Sequence, residues 1–155
     1  MPGKPDRSAA GLATAILLVA AVSAFAHSGA KGIVKQRMDA MGDIADQMEV
    51  LGAMMKKQTD FNPAIASKAA DAIAGHALHI PTLFPEGSNE HPSEALPAIW
   101  TDWAKFEAIA TELKDGASEL SVTAGSAAST MEIAASFGKV AKTCISCHEG
   151  FRLKK

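Results

Sequence analysis

The sequence predicts an all-α protein, folded as an antiparallel four-helix bundle. Apolar residues recur at spacings of three and four through most of the 155-residue chain, which is the pattern of helices packed along one face. No stretch alternates apolar and polar residues with β-branched side chains, so strands are not expected. The segments between the predicted helices are mostly short, and short connections favour antiparallel neighbours in a bundle.

The first residues have the pattern of a secretory signal peptide. A short basic region precedes an apolar run over residues 9–22, and a small-x-small triplet follows at residues 24–26. The apolar run is short for a membrane span and has no basic stop-transfer flank. We therefore expect residues 1–26 to be removed on export. Residues 27–155 would then form one periplasmic domain with no membrane span after processing.

Two helices are predicted in the first half of the mature chain. The first covers about residues 32–57, and its apolar seam comprises Val34, Met38, Met41, Ala45, Met48, Gly52 and Met55. The stripe is widened by Ile33, Ile44, Leu51 and Met54. Asn62 is placed to cap the second helix, with Pro63 at its first position, where a missing N–H costs nothing. That helix is expected to run to about Ile80 and to stop at Pro81.

The second half holds a long loop and two more helices. Residues 81–97 contain four of the seven prolines, and a loop of this length in a bundle is either functional or covers something. A third helix is predicted within residues 98–120, followed by a turn at residues 121–125. The inner face of this helix is predicted to comprise Trp103, Phe106, Ala110, Leu113, Ala117 and Leu120. A fourth runs from about Ser126 to the C-terminus, and its predicted inner face comprises Ala127, Met131, Ala134, Gly138, Ala141 and Ile145.

Composition and charge narrow the functional classes. The formal net charge is -2, so nothing favours binding to nucleic acid. Hydrophobic residues make up 48 % of the chain but aromatic residues only 5 %, with no tyrosine. A core of small and flexible side chains leaves space for a large flat group, although a tightly packed alanine-rich bundle fits the composition equally well.

Both cysteines of the chain lie near its end, in the segment CISCH at residues 144–148. This C-x-x-C-H spacing is the pattern of c-type haem attachment. Residues three and four apart share one face of a helix, so Cys144 shares a face with Cys147 and His148. Two thiols there can add to the vinyl groups at one porphyrin edge, while the histidine reaches the iron. The sequence therefore predicts one covalently attached haem c.

Three other uses of the two cysteines are weaker. A disulfide between residues three apart closes too short a loop to stabilise much. A zinc site needs four ligands, usually from two separated pairs, and the chain has no second cysteine pair. A thioredoxin-like dithiol needs its C-x-x-C at the start of a helix that follows a strand, and no strand is predicted. Haem attachment stays the leading interpretation.

The mature chain resembles the class II cytochromes c, that is cytochrome c-prime and its low-spin relatives, over its whole length. A C-x-x-C-H near the C-terminus of an exported four-helix chain is typical of this class. In its first helix an arginine precedes the distal residue by four positions, as Arg37 precedes Met41 here. The C-terminal signature C-x-x-C-H-x-x-(Phe or Tyr)-Arg is matched by Cys144, Cys147, His148, Phe151 and Arg152.

This resemblance implies a role for each matched residue. The two thioethers and the proximal iron ligand would come from Cys144, Cys147 and His148. Arg37 and Arg152 would lie near the haem, pairing with its propionates or shaping its proximal side. Phe151 belongs to the same signature and is predicted to contact the cofactor.

Met41 decides which function the resemblance implies. As a sixth iron ligand it would suit a carrier of single electrons between redox partner proteins, which is not an enzyme. A methionine on a heptad seam also serves as core filler. With Met41 only crowding the distal face, the iron would be five-coordinate and would bind nitric oxide or carbon monoxide. A homodimer through the outer face of the first two helices is also compatible with the sequence.

Overall fold

The computed structural model describes residues 29–154, and the predicted signal peptide lies outside this range. Four long helices and two short ones follow one another: α1 (Gly32–Met55), α2 (Pro63–His79), a 3₁₀ helix (Ile80–Leu83), α3 (Ala98–Thr101), α4 (Trp103–Ser126) and α5 (Thr130–Phe151). Over the described residues, β pairing is limited to one isolated bridge, which confirms the predicted all-α class. In the same range no helix combines the length and apolar character needed to cross a membrane.

The four long helices pack as a square in which each helix contacts two neighbours. α2 packs most extensively against α4, α4 against α5, and α1 against α2, whereas the diagonal pairs do not meet within the described part of the chain. The fourth side of the square, between α1 and α5, is joined over a much shorter stretch. Short connections make α1 antiparallel to α2, and α4 to α5, so the predicted four-helix bundle is confirmed.

The α2–α4 side is the most extensively packed part of the core. α2 buries Ile73 and the small side chains Ala66, Ala69, Ala70, Ala74 and Ala77. α4 buries Phe106, Ala110, Leu113, Ala117, Leu120 and Ala124, which confirms the inner face expected for the third helix. Small side chains let two helix backbones approach closely. A hydrogen bond also crosses this side, from the Ser121 hydroxyl to the Ser67 carbonyl at 3.0 Å.

The predicted start of α2 is confirmed. Asn62 Oδ1 accepts a hydrogen bond from the Ile65 backbone N–H at 3.1 Å, and Pro63 occupies the first helical position. The helix ends at His79, and a 3₁₀ turn that contains Pro81 leads into the long loop.

The third predicted helix differs from the structure at both ends. Asp102 separates the one-turn α3 from α4. At the other end α4 continues to Ser126, so the turn predicted at residues 121–125 is wrong. Serine, threonine and glycine suggested that turn from local propensity. Ala124 is fully buried there and extends the packed face by another turn, and such tertiary burial outweighs weak local preferences.

The predicted inner face of the fourth helix is wrong at four of its six positions, since only Ala127, just before the helix, is buried and Ala141 is half-buried. α5 begins at Thr130 and buries Ile133, Ser136, Val140, Thr143 and Phe151. Met131 is instead 85 % exposed and Ile145 is 59 % exposed. The apolar spacing predicted the wrong face of α5 because two of the inward positions carry hydroxyl groups. Ser136 and Thr143 each donate to a carbonyl of their own helix at 3.1 Å, so both enter the core with their hydrogen bonds satisfied.

The inner row of α1 was only partly predicted. Arg37, Ile44 and Leu51 are buried, and Met41 and Met48 lie half-buried between them. The predicted seam was therefore right at both methionines. It was wrong at Ala45, which is exposed. Ile44 and Leu51, which were predicted to widen this seam, are buried as expected, whereas Arg37 was missed because the seam was drawn through apolar residues alone.

Candidate haem site

The two cysteines lie near the C-terminal end of α5, and both are half-buried. Both thiols are free and pack against the edge of the core. Burial raises the pKa of Cys144. Burial, together with the neighbouring Cys144, raises the pKa of Cys147 to about 11. The two thiols are therefore neutral at pH 7 and lie close together on the inward side of the helix.

The imidazole of His148 follows directly and is accessible to solvent. Partial burial of the ring lowers its pKa, the positive charge of Arg152 lowers it further, and Glu94 opposes both effects. The imidazole is therefore neutral at pH 7, which is the form that binds a metal. Within residues 29–154 no three His, Cys, Asp or Glu side chains form a group that could hold a metal ion, so the zinc alternative gains no support.

Met41 lies on the inner row of α1, one turn after the buried Arg37. Its half-buried side chain packs against the edge of the core, as do those of Cys144 and Cys147. α1 and α5 are neighbours along the least packed side of the square. The predicted distal residue and the attachment motif therefore lie on the two helices that flank this side.

Arg37 is the only charged residue in the buried set of the described chain, at 4 % exposure. Its guanidinium donates to the Ser88 hydroxyl at 3.0 Å, to the Ser88 carbonyl, and to the Ser93 hydroxyl at 2.5 Å. It also lies 4.7 Å from the centre of the Phe84 ring. Burial lowers its pKa, although the group stays charged at neutral pH. These partners are all neutral, so the side chain fastens the long loop to α1.

Arg152 and Phe151 connect the same loop to α5. Arg152 forms an ion pair with Glu94 at 2.7 Å. The loop main chain adds two hydrogen bonds, from Leu96 N–H to the Phe151 carbonyl at 3.0 Å and from Leu153 N–H to the Glu94 carbonyl at 2.8 Å. The Phe151 ring is buried, in edge-to-face contact with a phenylalanine of α4 at 5.4 Å. The loop is thus joined to α1 through Ser88 and Ser93 and to α5 through Glu94 and Leu96.

Residues 84–97, called the strap from here on, therefore link α1 to α5 at one end of the bundle. Sequence analysis identified this loop as long but did not single out the residues that anchor it, Ser88, Ser93 and Glu94. The loop length was the only signal available. Serine and glutamate are ordinary in a polar loop, and their roles become visible only once Arg37 and Arg152 are located in space.

The residues present fit a haem group by their chemistry. Two neutral thiols and a neutral imidazole lie within five residues on α5, and a thioether lies on the neighbouring α1. The side between these helices is the least packed one, so a flat group would meet little side-chain bulk there. Cysteine sulfurs attach a haem c, and imidazole and thioether are established axial ligands of its iron.

Fold and site together define a c-type cytochrome of the four-helix, class II type. A family model described as cytochrome c' matches residues 32–152, so the chain belongs to the cytochrome c' family. Members of this family carry a covalently attached haem c, which is therefore the cofactor of this chain.

Several individual relatives are similar to the chain. It is 33 % identical over 124 residues to cytochrome c' from Rhodopseudomonas palustris, covering 79 % of this chain and 83 % of the relative. It is 33 % identical over 126 residues to cytochrome c-556 from Agrobacterium fabrum, covering 81 % and 84 %. The solved cytochrome c prime from Shewanella frigidimarina superimposes with a TM-score of 0.74 at 32 % identity, covering 79 % and 94 %. A nitric oxide complex of a variant cytochrome c prime from Alcaligenes xylosoxidans gives 0.70 at 26 % identity, covering 79 % and 94 %.

Proposed function

We propose that the protein carries single electrons between redox partner proteins in the periplasm and catalyses no reaction of its own. Cys144 and Cys147 would hold the haem by thioether bonds, and His148 would be the proximal iron ligand. The observation that carries the proposal is the position of both thiols on the inward side of α5, with a neutral imidazole beside them. The bound iron supplies the one-electron chemistry, while the protein sets its potential and access.

Met41 is proposed as the sixth ligand. Its place on the inner row of α1, on the helix that neighbours α5, supports this role. A thioether ligand raises the reduction potential of haem iron. A filled sixth position also leaves little to rearrange when the iron changes oxidation state, which suits a carrier.

Arg37, Phe151 and Arg152 are proposed to shape the surroundings of the haem. The Arg37 guanidinium is buried with only neutral partners among the described residues, and a propionate would supply the missing negative charge. Phe151 would pack on the proximal side from the last turn of α5. Arg152, through Glu94, would hold the strap beside the haem.

A second function has a specific observation in its favour. The variant cytochrome c prime from Alcaligenes xylosoxidans, which shares this fold, has been solved with nitric oxide bound. Met41 is only half-buried at the edge of the core. If its thioether leaves the iron free, the distal side would be open, and nitric oxide or carbon monoxide would be the ligand.

The sixth coordination position separates these two functions. We would record visible spectra of the oxidised, reduced and carbon monoxide-treated holoprotein, with Met41→Ala and Met48→Ala variants matured in the same periplasm. The wild type should show sharp reduced α and β bands that carbon monoxide does not move. Met41→Ala should become high-spin and bind carbon monoxide, because its ligand is gone.

Met48 is the matched control, since it lies half-buried on the same row two turns further along α1. Its variant should keep the wild-type spectrum. A high-spin wild type that shifts with carbon monoxide would reject the carrier proposal in favour of gas binding. A protein matured with no Soret band would reject the assignment of the thiols.

A further inference from the structure

The strap brings one carboxylate to the end of α5 that bears the attachment motif. Two guanidinium nitrogens of Arg152, Nε and an Nη, each lie 2.7 Å from the same carboxylate oxygen of Glu94. Charge-assisted hydrogen bonds of this length are among the stronger ones in proteins. The Glu94 side chain is only 28 % exposed, so water screens the pair incompletely. A negative charge is therefore held directly against the positive charge of Arg152.

The main chain fixes the position of Glu94 independently of its carboxylate. The Leu153 N–H donates to the Glu94 carbonyl at 2.8 Å. The next residue of the strap, Ala95, forms an isolated antiparallel bridge with Arg152. Because these contacts use backbone groups, they persist when the side chain at position 94 is changed. The charge of Glu94 can therefore be removed while the strap stays in place.

Arg152 and Glu94 both act on the imidazole of His148. Arg152 ends α5 one turn after His148, and its backbone N–H donates to the His148 carbonyl at 3.2 Å. Burial lowers the pKa of His148 most, the charge of Arg152 lowers it further, and the charge of Glu94 raises it. The two charges are therefore felt with opposite signs at the residue proposed to bind the iron.

A charge near a haem iron does not affect its two oxidation states equally. Ferric iron carries one more positive charge than ferrous iron. A nearby cation therefore favours the ferrous state and raises the reduction potential, and a nearby anion lowers it. Groups beyond the direct ligands of a metal are known to tune it in this way. An unpaired Arg152 beside the proximal ligand would raise the potential, whereas a paired one does so much less.

We propose that Glu94 is a positioning residue that sets the reduction potential of the bound haem, by cancelling the charge of Arg152 beside the proximal ligand His148. The inference rests on the proposed function, since it names the residue that adjusts the potential of the electron carrier. Glu94 acts through Arg152 and need not touch the haem. The strap then has an electrostatic role in addition to its structural one.

A purely structural role of the ion pair predicts a different outcome. If the pair only holds the strap in place, losing either partner loosens the strap and exposes the haem to water in the same way. Both losses would then shift the potential in the same direction, because burial is one of the factors that set it. If the pair acts by charge, losing Glu94 leaves a cation and losing Arg152 leaves an anion. The two shifts then have opposite signs.

The test measures the reduction potential of the holoprotein by optical titration with small diffusing mediators, at low and at high ionic strength. The variants are Glu94→Gln, Arg152→Gln and the double variant with both changes. Glu119→Gln is the matched control. It removes the partner of another α5 cation, Lys139, which pairs with Glu119 at 2.9 Å and lies nine residues before His148.

We expect Glu94→Gln to favour the ferrous state about threefold to tenfold, which raises the potential by about 30–60 mV at 59 mV per tenfold for one electron. Arg152→Gln should lower the potential by a similar amount. The double variant should return to within about twofold of the wild-type equilibrium, because neither charge is left. Glu119→Gln should also stay within about twofold, and high salt should shrink both single shifts.

Shifts of the same sign in Glu94→Gln and Arg152→Gln would overturn the proposal, as would a double variant displaced as far as Glu94→Gln. An equal shift in Glu119→Gln would also overturn it, because the effect would then come from net charge alone. Failure of the carrier function is distinguishable. A holoprotein without a reversible one-electron couple would reject both proposals, whereas a reversible couple without opposite shifts would reject only the role of Glu94.

Discussion

The α2–α4 and α1–α5 sides of the bundle are built in opposite ways. The first is closed by alanines, leucines, one isoleucine and one phenylalanine that are almost entirely inaccessible, and a pair of serines is hydrogen-bonded across it. The second brings its helices together over a short stretch, and the methionines of α1 and the cysteines of α5 that pack against the core are only half-buried. The α2–α4 side therefore supplies most of the packing that stabilises the scaffold. The α1–α5 side can then accept a large group, because little side-chain packing is lost there.

The largest expected effect lies on the α2–α4 side. Leu120→Ala removes a fully buried side chain from α4 and should lower the free energy of unfolding by about 2–5 kcal/mol, because the packed alanines around it cannot collapse into the cavity. Denaturant titration of the holoprotein measures this. Val122→Ala, two residues away and 79 % exposed, is the control and should change little. Similar losses for both would mean that this side is not the scaffold.

The next effect tests the attachment of the strap to α1. Arg37→Met keeps much of the side-chain volume but removes three hydrogen bonds to the strap, and we expect a loss of about 2 kcal/mol. Amide hydrogen exchange should rise within residues 84–97 and stay unchanged in α2 and α4. Lys35→Met, on the same helix with a 59 % exposed side chain, is the control. If the strap exchanges as slowly without Arg37, the strap is held by other contacts.

A smaller effect is expected for a half-buried side chain of α1. Met48→Ala should cost about 1 kcal/mol in denaturant titration, because the Met48 side chain is only half-buried and removes less surface from water than Leu120 does. A cost equal to that of Leu120→Ala would show that the half-buried methionines of α1 stabilise the fold as much as the α2–α4 side does.

The smallest effect concerns the anchor of the strap on α5. The Arg152–Glu94 ion pair is partly exposed, at 48 % for the arginine side chain, so Arg152→Ala should cost only about 0.2–1 kcal/mol. The cost should fall further at high salt, because solvent ions screen an exposed pair. Measuring the free energy of unfolding at two ionic strengths checks both statements. A loss that does not depend on salt would point to lost packing instead.

The sequence predicted the fold class, the cap of α2 and the inner face of α4, because those features depend on spacing and on local hydrogen bonds. It failed where polar residues enter the core. On α1 the buried Arg37 was missed, and on α5 the buried Ser136 and Thr143 were missed, so most of the stripe expected inside lies outside. A buried polar side chain needs a hydrogen-bond partner, either a residue distant in sequence or a carbonyl of its own helix. The spacing of apolar residues predicts neither kind of partner.

The haem attachment motif could be predicted from the sequence because its residues are close together in the chain. The spacing from Cys144 to His148 fixes which groups share a helical face, whatever surrounds them. The residues that anchor the strap could not be predicted from the sequence, because Ser88 lies 51 residues from Arg37 and Glu94 lies 58 residues from Arg152. Only the folded chain brings those pairs together.

The two kinds of contact also differ in how easily each region opens. The strap is held mostly by hydrogen bonds and one partly exposed ion pair, whereas the α2–α4 side is held by fully buried apolar side chains. Segments with few buried apolar contacts open locally at a lower free-energy cost than the core does. We therefore expect the strap to detach while the scaffold stays folded, so that this end of the bundle can open without loss of the fold.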